Sequence, residues 1–212
     1  MISSPGDESC IGRLEWMELK DVGQAYKLGR YPIHFHMIGT VMSSYVQGNS
    51  IHQTYNRAIT AHNVHYLRIL NNVAFNTMGH TFFIEDAVET HNYYNHNLAI
   101  QVRKSTALLN TDQTPGGFWI THPSNIFTNN AIAGSDAYGF WFDMQDHSTG
   151  PSYDINICPI HERLGGFSNN SAHSVHKYGL RIFHMLKPQA YPCLSSPYDG
   201  DYLKNNQTDP YW

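Results

Sequence analysis

The sequence predicts an all-β fold, a right-handed parallel β-helix in which short strands stack as successive coils. Two local patterns alternate along the chain: an Asn followed by small or apolar residues, and a Gly followed by aromatic or branched residues. The strand-like runs are only about four to six residues long, and helical periodicity is weak throughout. A repeat of roughly 20 to 40 residues is typical of a solenoid. An antiparallel sandwich would also have short strands, but it does not explain why the same two patterns keep alternating.

The repeated elements can be followed in order along the chain. The Asn pattern begins at Asn49, Asn72, Asn97, Asn130 and Asn170. The Gly pattern begins at Gly29, Gly79, Gly117, Gly139 and Gly179, and Asn56 takes the same place once. From an Asn element to the next Gly element the distance is seven residues twice, nine twice and twenty once. The opposite connection varies from thirteen to thirty-one residues, so one corner of each coil is tight and the other side accommodates insertions.

These spacings give a domain organisation. Residues 1–20 are predicted to be an N-terminal lead-in, and residues 21–186 the coils, with inserted loops at 98–116 and 143–169. Residues 187–212 are predicted to be a C-terminal extension. The first ten residues lack the basic and apolar regions of a secretion signal, and both ends look arbitrary, so we expect the chain to be part of a longer protein.

Stacked coils lie about 4.8 Å apart, so equivalent residues form columns along the solenoid. The predicted interior residues are Ile33 and Phe35, Ile59 and Ala61, and Phe82 and Ile84. Because side chains alternate along a strand, their neighbours point outward. One exterior column then contains His36, His62 and Glu85, and the column beside it contains His34, Thr60 and Phe83. A register slip of one residue would place both exterior sets inside.

The composition excludes several functional classes. Of the 212 residues, 41% are hydrophobic and 14% are charged, with a net charge of -4 and 13 Lys and Arg together. This balance is unfavourable for nucleic-acid binding. The longest apolar runs are far shorter than the roughly 20 residues that span a bilayer. The three cysteines, Cys10, Cys158 and Cys193, have no CxxC spacing, which disfavours a zinc knuckle. A Cys158–Cys193 disulfide and free buried thiols both remain open.

Several long strings resemble one family. They are GRYPIHFHMIG at 29–39, SIHQTYNRAITAHN at 50–63, NNVAFNTMGHTFFIEDAVETHN at 71–92, GFWITHPSNIFTNNAIAGSDAYGFWFDM at 117–144, TGPS at 149–152, LGGFSNNSAHS at 164–174 and YGLRIF at 178–183. Together they resemble the β-helix region of the transmembrane and secreted hyaluronidases of the cell-migration-inducing, hyaluronan-binding type, a region also found in fibrocystin-L. The resemblance covers about residues 21 to 183.

The resemblance implies an extracellular or cell-surface protein that binds or cleaves hyaluronan, attached to a membrane only through parts outside this chain. The sequons at Asn169 and Asn206 are compatible with glycosylation there. Fibrocystin-L implies the alternative, a non-catalytic ectodomain segment that acts as a spacer or adhesion surface. A polysaccharide lyase is the least favoured reading, because it needs a basic residue to take a proton and Arg and Lys are scarce.

Glycoside hydrolysis generally needs two carboxyl groups roughly 5 to 9.5 Å apart. Glu85 follows an apolar run, so partial burial would raise its pKa toward that of a general acid, and Asp86 is the other candidate acid. Asp143, two coils later, would complete the pair. His80 at a strand entry would orient a sugar or carboxylate, or is alternatively a satisfied structural histidine. The alternative is that Glu85 and Asp86 simply begin a solvated turn.

The histidine column suggests a metal site. His34 and His36 alternate on one strand and share a face, and register brings His62 and Glu85 beside them. Imidazoles with a carboxylate bind divalent transition metals, so a divalent metal is a candidate cofactor with these four residues as ligands. A chain with 14 His can also form such a column by chance.

The candidate substrate surface is aromatic and poor in cations. Trp119, Trp141, Phe118 and Phe140 would offer stacking surfaces for sugar rings wherever they face outward. A polyanion such as hyaluronan would be steered by clustered Arg and Lys, and the middle of the chain has few. A neutral glycan therefore remains an alternative to hyaluronan.

Overall fold

The structure is a computed structural model that describes residues 1–3, 10–183 and 185–194. Its strands, in chain order, are β1 (Ile2–Ser3), β2 (Arg13–Glu15), β3 (Glu18–Lys20), β4 (Ile33–Thr40), β5 (Tyr45–Gln47), β6 (Ser50–His52), β7 (Ile59–His65), β8 (Arg68–Leu70), β9 (Val73–Phe75), β10 (Phe82–Ile84), β11 (Tyr93–Asn95), β12 (Leu98–Val102), β13 (Gly116–Ile120), β14 (Ile126–Thr128), β15 (Ala131–Ser135), β16 (Tyr138–Asp143), β17 (Gly166–Ser168), β18 (Ser171–Val175) and β19 (Tyr178–Phe183). Three 3-10 helices lie between them, at Asn110–Gln113, Gly150–Ser152 and Pro159–His161.

The strands form three parallel sheets, and each coil contributes one strand to each sheet. Sheet A has the order β1-β4-β7-β10-β13-β16-β19, sheet B β17-β14-β11-β8-β5-β2, and sheet C β18-β15-β12-β9-β6-β3. Neighbours in a sheet are three strands apart in the chain, which is the signature of stacked coils. The predicted parallel β-helix is therefore confirmed.

The core lies between the three sheets, where equivalent residues of successive coils stack. The predicted interior residues Ile33, Phe35, Ile59, Ala61, Phe82 and Ile84 are all buried. Phe118 lies between Phe82 and Phe140, with ring centroids 4.5 and 4.9 Å away. The predicted register is also correct, since Ile33 pairs with Ile59 and Phe82 pairs with Ile59 from the other side.

The Asn pattern forms the corner between sheets B and C. The residue before each of these asparagines has a positive φ, and this residue is Gly48, Asn71, His96, Asn129 or Asn169. It turns the chain, and the asparagine that follows bonds to its equivalent in the next coil. Asn72, for example, donates from both its backbone N–H and its Nδ2 to Oδ1 of Asn97, each at 3.0 Å. We call the set Asn49, Asn72, Asn97, Asn130 and Asn170 the asparagine ladder.

Three glycines of the Gly pattern are in register with one another, Gly117, Gly139 and Gly179, and each is the second residue of its strand in sheet A. A Cβ on Gly139 would lie 2.4 Å from the carbonyl oxygen of Gly179, so the close approach of coils there excludes a side chain. Gly79 lies three residues before Phe82, whereas Gly117 directly precedes the paired Phe118. The prediction that Gly79 is equivalent to these glycines was wrong.

The coil boundaries also differ from those predicted. β2 and β3 lie within residues 1–20, yet they pair with β5 and β6, so the first described coil begins within the expected lead-in. The inserted segments are shorter than expected, because β12 occupies residues 98–102 and β17 begins at residue 166. Most of the predicted extension at 187–212 lies outside the described residues.

Three further features concern the chemistry of the chain. Cys158 and Cys193 form a disulfide and Cys10 is a free thiol, which decides between the two cysteine states left open. Asn169 is exposed beside the ladder residue Asn170, whereas the Asn206 sequon lies outside the described residues. In the described ranges, no helix has the length and apolar character needed to cross a bilayer.

Candidate functional site

The outward-facing side of sheet A carries the predicted site residues in two adjacent columns. One column contains, in coil order, His34, Thr60, Phe83, Trp119, Trp141 and Arg181. The other lies two residues further along each strand and contains His36, His62, Glu85, Thr121, Asp143 and Phe183. We call these two columns the exterior face. Register therefore brings together histidines and carboxylates that are far apart in sequence, as predicted.

Most side chains of the exterior face are buried although they point away from the core. On one side the 3-10 helix Asn110–Gln113 places Asp112 against Arg57. On the other side Gly150–Ser152 closes over Asp86, where the Ser152 N–H donates to Asp86 Oδ2 at 3.3 Å. A Cβ on Gly150 would lie 2.5 Å from Asp86 Oδ1, so this close cover requires glycine. The inserted segments thus form the walls of the site.

Three imidazoles meet at the start of the exterior face. The ring centroids of His34 and His36 are 4.9 Å apart, and those of His36 and His62 are 4.8 Å apart. His34 Nδ1 lies 3.0 Å from the carbonyl oxygen of Gly29. A carbonyl accepts only, so Nδ1 carries the proton and Nε2 presents a lone pair. Burial lowers the pKa of His34 to about 3, which keeps this ring neutral.

Glu85 lies at the centre of the cluster and is 15% exposed. Its Oε1 accepts a hydrogen bond from the Tyr31 hydroxyl at 2.9 Å, and its Oε2 lies 3.3 Å from His62 Nδ1 and 4.0 Å from His34 Nε2. Burial raises the pKa of Glu85 above its ordinary value, although the positive charges of His62 and Arg57 oppose the shift. This is the direction expected of a carboxyl that can donate a proton near neutral pH.

Asp86 has the opposite tendency. Its Oδ2 accepts from His62 Nε2 at 2.7 Å. Burial alone would raise the pKa of Asp86, but the hydrogen bonds from His62 and Ser152 outweigh it and lower the pKa. For His62, burial acts to lower the pKa, but the bond to Asp86 and the charges of Glu85 and Asp86 raise it. Asp86 is therefore an ionised group that orients His62, and it is not placed to act as an acid.

A buried ion pair, Arg57–Asp112, holds the wall of the site that the 3-10 helix Asn110–Gln113 forms. Arg57, which is 1% exposed, donates from Nη2 to Asp112 Oδ2 at 2.7 Å and from Nε to Oδ1 at 3.1 Å. The guanidinium lies over the Phe83 ring, with Cζ 3.7 Å from the ring centroid. Asp112 also accepts from the backbone N–H of His80 at 3.1 Å. A buried ion pair with this many partners positions the wall of the site.

His80 differs from its expected role. It is fully buried, its Nδ1 accepts from the Gly116 N–H at 3.1 Å, and its ring centroid lies 4.0 Å from that of Trp119. Burial lowers the pKa of His80 to about 3. A neutral ring without solvent access does not reach a substrate in this structure, so His80 packs the wall of the site and does not act on sugar or carboxylate directly.

Asp143 lies in the same column as Glu85 but two coils away, with Thr121 between them. Two coil steps correspond to about 9.6 Å. Asp143 Oδ2 accepts from Gln145 Nε2 at 2.8 Å. The structure therefore groups Glu85, Asp86 and the three histidines tightly and leaves Asp143 at a distance.

The column that starts at His34 continues with aromatic residues and ends at Arg181, and a second cation, Lys177, lies near this end outside the two columns. The ring centroids of Trp119 and Trp141 are 5.8 Å apart. Arg181 Cζ lies 5.7 Å from the Trp141 ring centroid, and Lys177 Nζ lies 5.6 Å from that of Tyr138. Phe118 and Phe140, which are also sugar-stacking candidates, face the core and are buried.

Sequence reasoning missed these two cations. The count of Arg and Lys was taken over the middle of the chain, but register carries Arg181 next to Trp141. The signal was present in YGLRIF, where Arg181 has the same place relative to Gly179 as Trp141 has relative to Gly139.

Comparisons with known proteins agree with the β-helix fold. A sequence profile described as CEMIP beta-helix matches residues 7–115 and 108–180. The chain belongs to the CEMIP beta-helix family. It is 47% identical to human Fibrocystin-L over 194 residues, which covers 91% of this chain and 5% of that protein.

Two relatives carry hyaluronan in their names. The chain is 35% identical to human Cell surface hyaluronidase CEMIP2 over 225 residues, covering 86% of this chain and 16% of the relative. It is also 35% identical to human Cell migration-inducing and hyaluronan-binding protein over 207 residues, covering 82% of this chain and 15% of the relative. The chain thus spans between a twentieth and about a sixth of the length of these family members.

Proposed function

We propose that this chain is an extracellular β-helix domain that binds a polysaccharide along the exterior face of sheet A and hydrolyses it beside Glu85. The observation that carries the proposal is that Glu85 lies in a column directly beside the Phe83, Trp119 and Trp141 column. Flat aromatic surfaces suit the apolar faces of sugar rings, and a carboxyl of raised pKa next to them can protonate a glycosidic oxygen.

The substrate class follows from the charges and the relatives. Arg181 and Lys177 at the far end of the aromatic column would attract the carboxylates of an acidic glycan. Hyaluronan is such a glycan, and two relatives are named for cleaving or binding it. The Cys158–Cys193 disulfide supports an oxidising, extracellular or cell-surface location.

The reaction uses the two carboxyls of one column. Glu85 gives its proton to the glycosidic oxygen as the bond from that oxygen to the anomeric carbon breaks. Asp143 takes a proton from a water molecule whose oxygen forms the new bond to the anomeric carbon. The backbone positions of the two residues are about 9.6 Å apart, which is nearer to the roughly 6.5–9.5 Å carboxyl separation of inverting glycosidases than to the roughly 5–5.5 Å of retaining ones, so the proposal predicts inversion at that carbon.

The experiment compares Glu85→Gln with the wild-type protein on hyaluronan of defined length, with fragment size followed by gel electrophoresis. Loss of a general acid reduces the rate by about 10²–10⁴-fold, so we expect shortening to be nearly abolished. Glu18→Gln is the matched control, because Glu18 is 72% exposed on sheet C and contacts His52. Equal rates for both variants would contradict the proposal, provided that circular dichroism shows both to be folded.

A second function has its own support. Phe83, Trp119 and Trp141 are only 5–7% exposed, and stacked rings buried to this degree also suit a rigid structural wall. A non-catalytic ectodomain segment would keep this packing and bind or support without turnover. Chelator-treated wild-type protein that leaves hyaluronan and other glycosaminoglycans at their original length would favour this function.

A further inference from the structure

Three buried polar atoms without a hydrogen-bond partner converge between β4, β7 and β10. They are His34 Nε2, His62 Nδ1 and Glu85 Oε2. His36 joins them, because one ring nitrogen from each of His34, His36 and His62 lies within 4.8 Å of the others. We propose that His34, His36, His62 and Glu85 form a binding site for one divalent transition-metal ion of the zinc type.

The distances are close to those of a loaded site. Tetrahedral ligands about 2.0–2.1 Å from a zinc ion lie roughly 3.3–3.4 Å from one another. His62 Nδ1 and Glu85 Oε2 are already 3.3 Å apart, and His34 Nε2 is 4.0 Å from the same oxygen. The three imidazoles already form one cluster and Glu85 contacts two of them, so the proposal requires side-chain rotation to bring all four atoms onto one ion. His36 is the most exposed of the three histidines, so the ion can enter from its side.

The hydrogen bonds on the outer side of the ligands also support a metal site. Metal-binding histidines usually donate their other ring N–H to a carbonyl or carboxylate, which fixes the tautomer. His34 Nδ1 donates to the Gly29 carbonyl, and His62 Nε2 donates to Asp86. Tyr31 donates to the remaining oxygen of Glu85. Each of these three ligands therefore has one polar atom fixed by a hydrogen bond on its outer side and a second polar atom without a partner at the centre of the cluster.

The donor set selects the class of metal. Three imidazole nitrogens with one carboxylate oxygen suit zinc and its neighbours in the first transition series. Calcium takes six to eight oxygen ligands, and the cluster offers one inward-facing carboxylate. Calcium is therefore the negative control.

Metal binding itself does not depend on the proposed function, but one consequence does. A bound cation holds Glu85 as a carboxylate, so the loaded protein cannot use Glu85 as its proton donor. Zinc is then expected to inhibit any glycan cleavage that depends on Glu85, and a chelator is expected to restore it. Metal content is measured without a glycan, so failure of one proposal can be told from failure of the other.

The test titrates the intact, chelator-treated protein, purified without a polyhistidine tag, with zinc chloride. Bound zinc is counted by elemental analysis after gel filtration, and stability is followed by thermal unfolding. We expect one zinc per chain and a rise in the unfolding temperature, because an ion that binds the folded state stabilises it. Calcium chloride at the same concentration is expected to give neither result.

Variants locate the site. His36→Ala is expected to weaken zinc binding about tenfold or more, since loss of even an outer contact costs 10–100-fold. His173→Ala removes an exposed imidazole from sheet C and is expected to bind zinc like the wild type. If His36→Ala does not fold, the visible absorption of a cobalt probe in wild type and in His36→Gln decides. Absence of stoichiometric zinc in the wild type, or equal binding by the His36 and His173 variants, overturns the proposal.

Discussion

The asparagine ladder and the exterior face of sheet A solve the same problem, the stacking of coils, in opposite ways. In the ladder every coil has the same residue at the same place, and each Oδ1 that is preceded by another rung accepts a hydrogen bond from the Nδ2 of that rung. On the exterior face the residue type changes along each column, from histidine to aromatic residues and arginine in one and from histidine to carboxylates in the other. In the ladder, each asparagine side chain meets the same hydrogen-bond partner in the next coil. On the exterior face, each polar side chain needs a different partner.

The buried atoms without partners show the difference. Among the described residues, those atoms include His34 Nε2, Thr60 Oγ1, His62 Nδ1, Glu85 Oε2 and Trp141 Nε1, all on the exterior face. The described ladder amides have no such atom. An unpaired buried polar group is destabilising by roughly 1–3 kcal/mol. The ladder therefore stabilises the stacking of coils without unpaired amides, whereas the exterior face carries five of the ten buried polar atoms without a partner in the described part of the chain.

The largest loss of unfolding free energy is expected when the buried ion pair in the wall of the exterior face is broken. Asp112→Ala removes the partner of Arg57 and leaves a buried guanidinium unpaired. Breaking a buried pair in this way typically costs about 3–5 kcal/mol of unfolding free energy. We expect a loss of that size in urea denaturation at neutral pH.

Asp136→Ala is the control for this experiment, because Asp136 is exposed and its carboxylate accepts a hydrogen bond from the Lys104 N–H at the surface. A surface substitution of this kind is expected to cost less than about 1 kcal/mol. Equal losses for the two variants would mean that the wall depends on packing and not on the ion pair.

A smaller effect is expected when one rung of the ladder is removed. Asn97→Ala takes away the acceptor of two Asn72 donors and leaves the Ile69 carbonyl without the Asn97 amide. We expect a loss of about 1–3 kcal/mol in unfolding free energy. Asn170→Ala, on the last rung described, is expected to cost less, because Asn170 is partly exposed and bonds to a ladder residue on one side only. A loss at Asn170 as large as at Asn97 would contradict the idea that rungs act by being stacked on both sides.

The ladder and the exterior face also differed in how much the sequence could predict. The asparagines recur with a visible spacing, so their corner, the parallel stacking and the columns of sheet A follow from a pattern that one can count. The assignment of His36, His62 and Glu85 to one column needed only the strand register. The structure has the predicted register, so the residues predicted to share this column do lie together.

What lies over a column was not predictable in the same way. The partners of Asp86, His80 and Arg57 come from inserted segments that do not repeat, such as Asp112 and Gly150–Ser152. No periodicity indicates where such a segment folds back. The sequence therefore identified which residues point outward but not that most of them are covered, and for His80 it left a substrate-orienting role and a structural role open.

The smallest expected effect is a change in how stability depends on pH. It tests how tightly the inserted segments cover the end of β13. His122 is buried, and its Nδ1 accepts from the Ser124 N–H at 3.2 Å. Burial, with smaller contributions from His65 and His91, lowers the pKa of His122 from 6.5 to about 3. Between these values the unfolded chain binds a proton that the folded chain excludes, so stability falls as the pH falls through this window.

His122→Asn removes this titration and keeps an acceptor for the Ser124 N–H. The variant is expected to lose less stability than the wild type between pH 6 and pH 5, by up to about 1.4 kcal/mol for one proton over one pH unit. Urea denaturation at the two pH values measures the difference, and His173→Asn, at an exposed imidazole, serves as the control. If His122→Asn loses as much stability as the wild type over this interval, the His122 ring is protonated in the folded protein. Protonation requires that water reaches the ring. The inserted segments would then cover this end of sheet A less tightly than the rest of the exterior face.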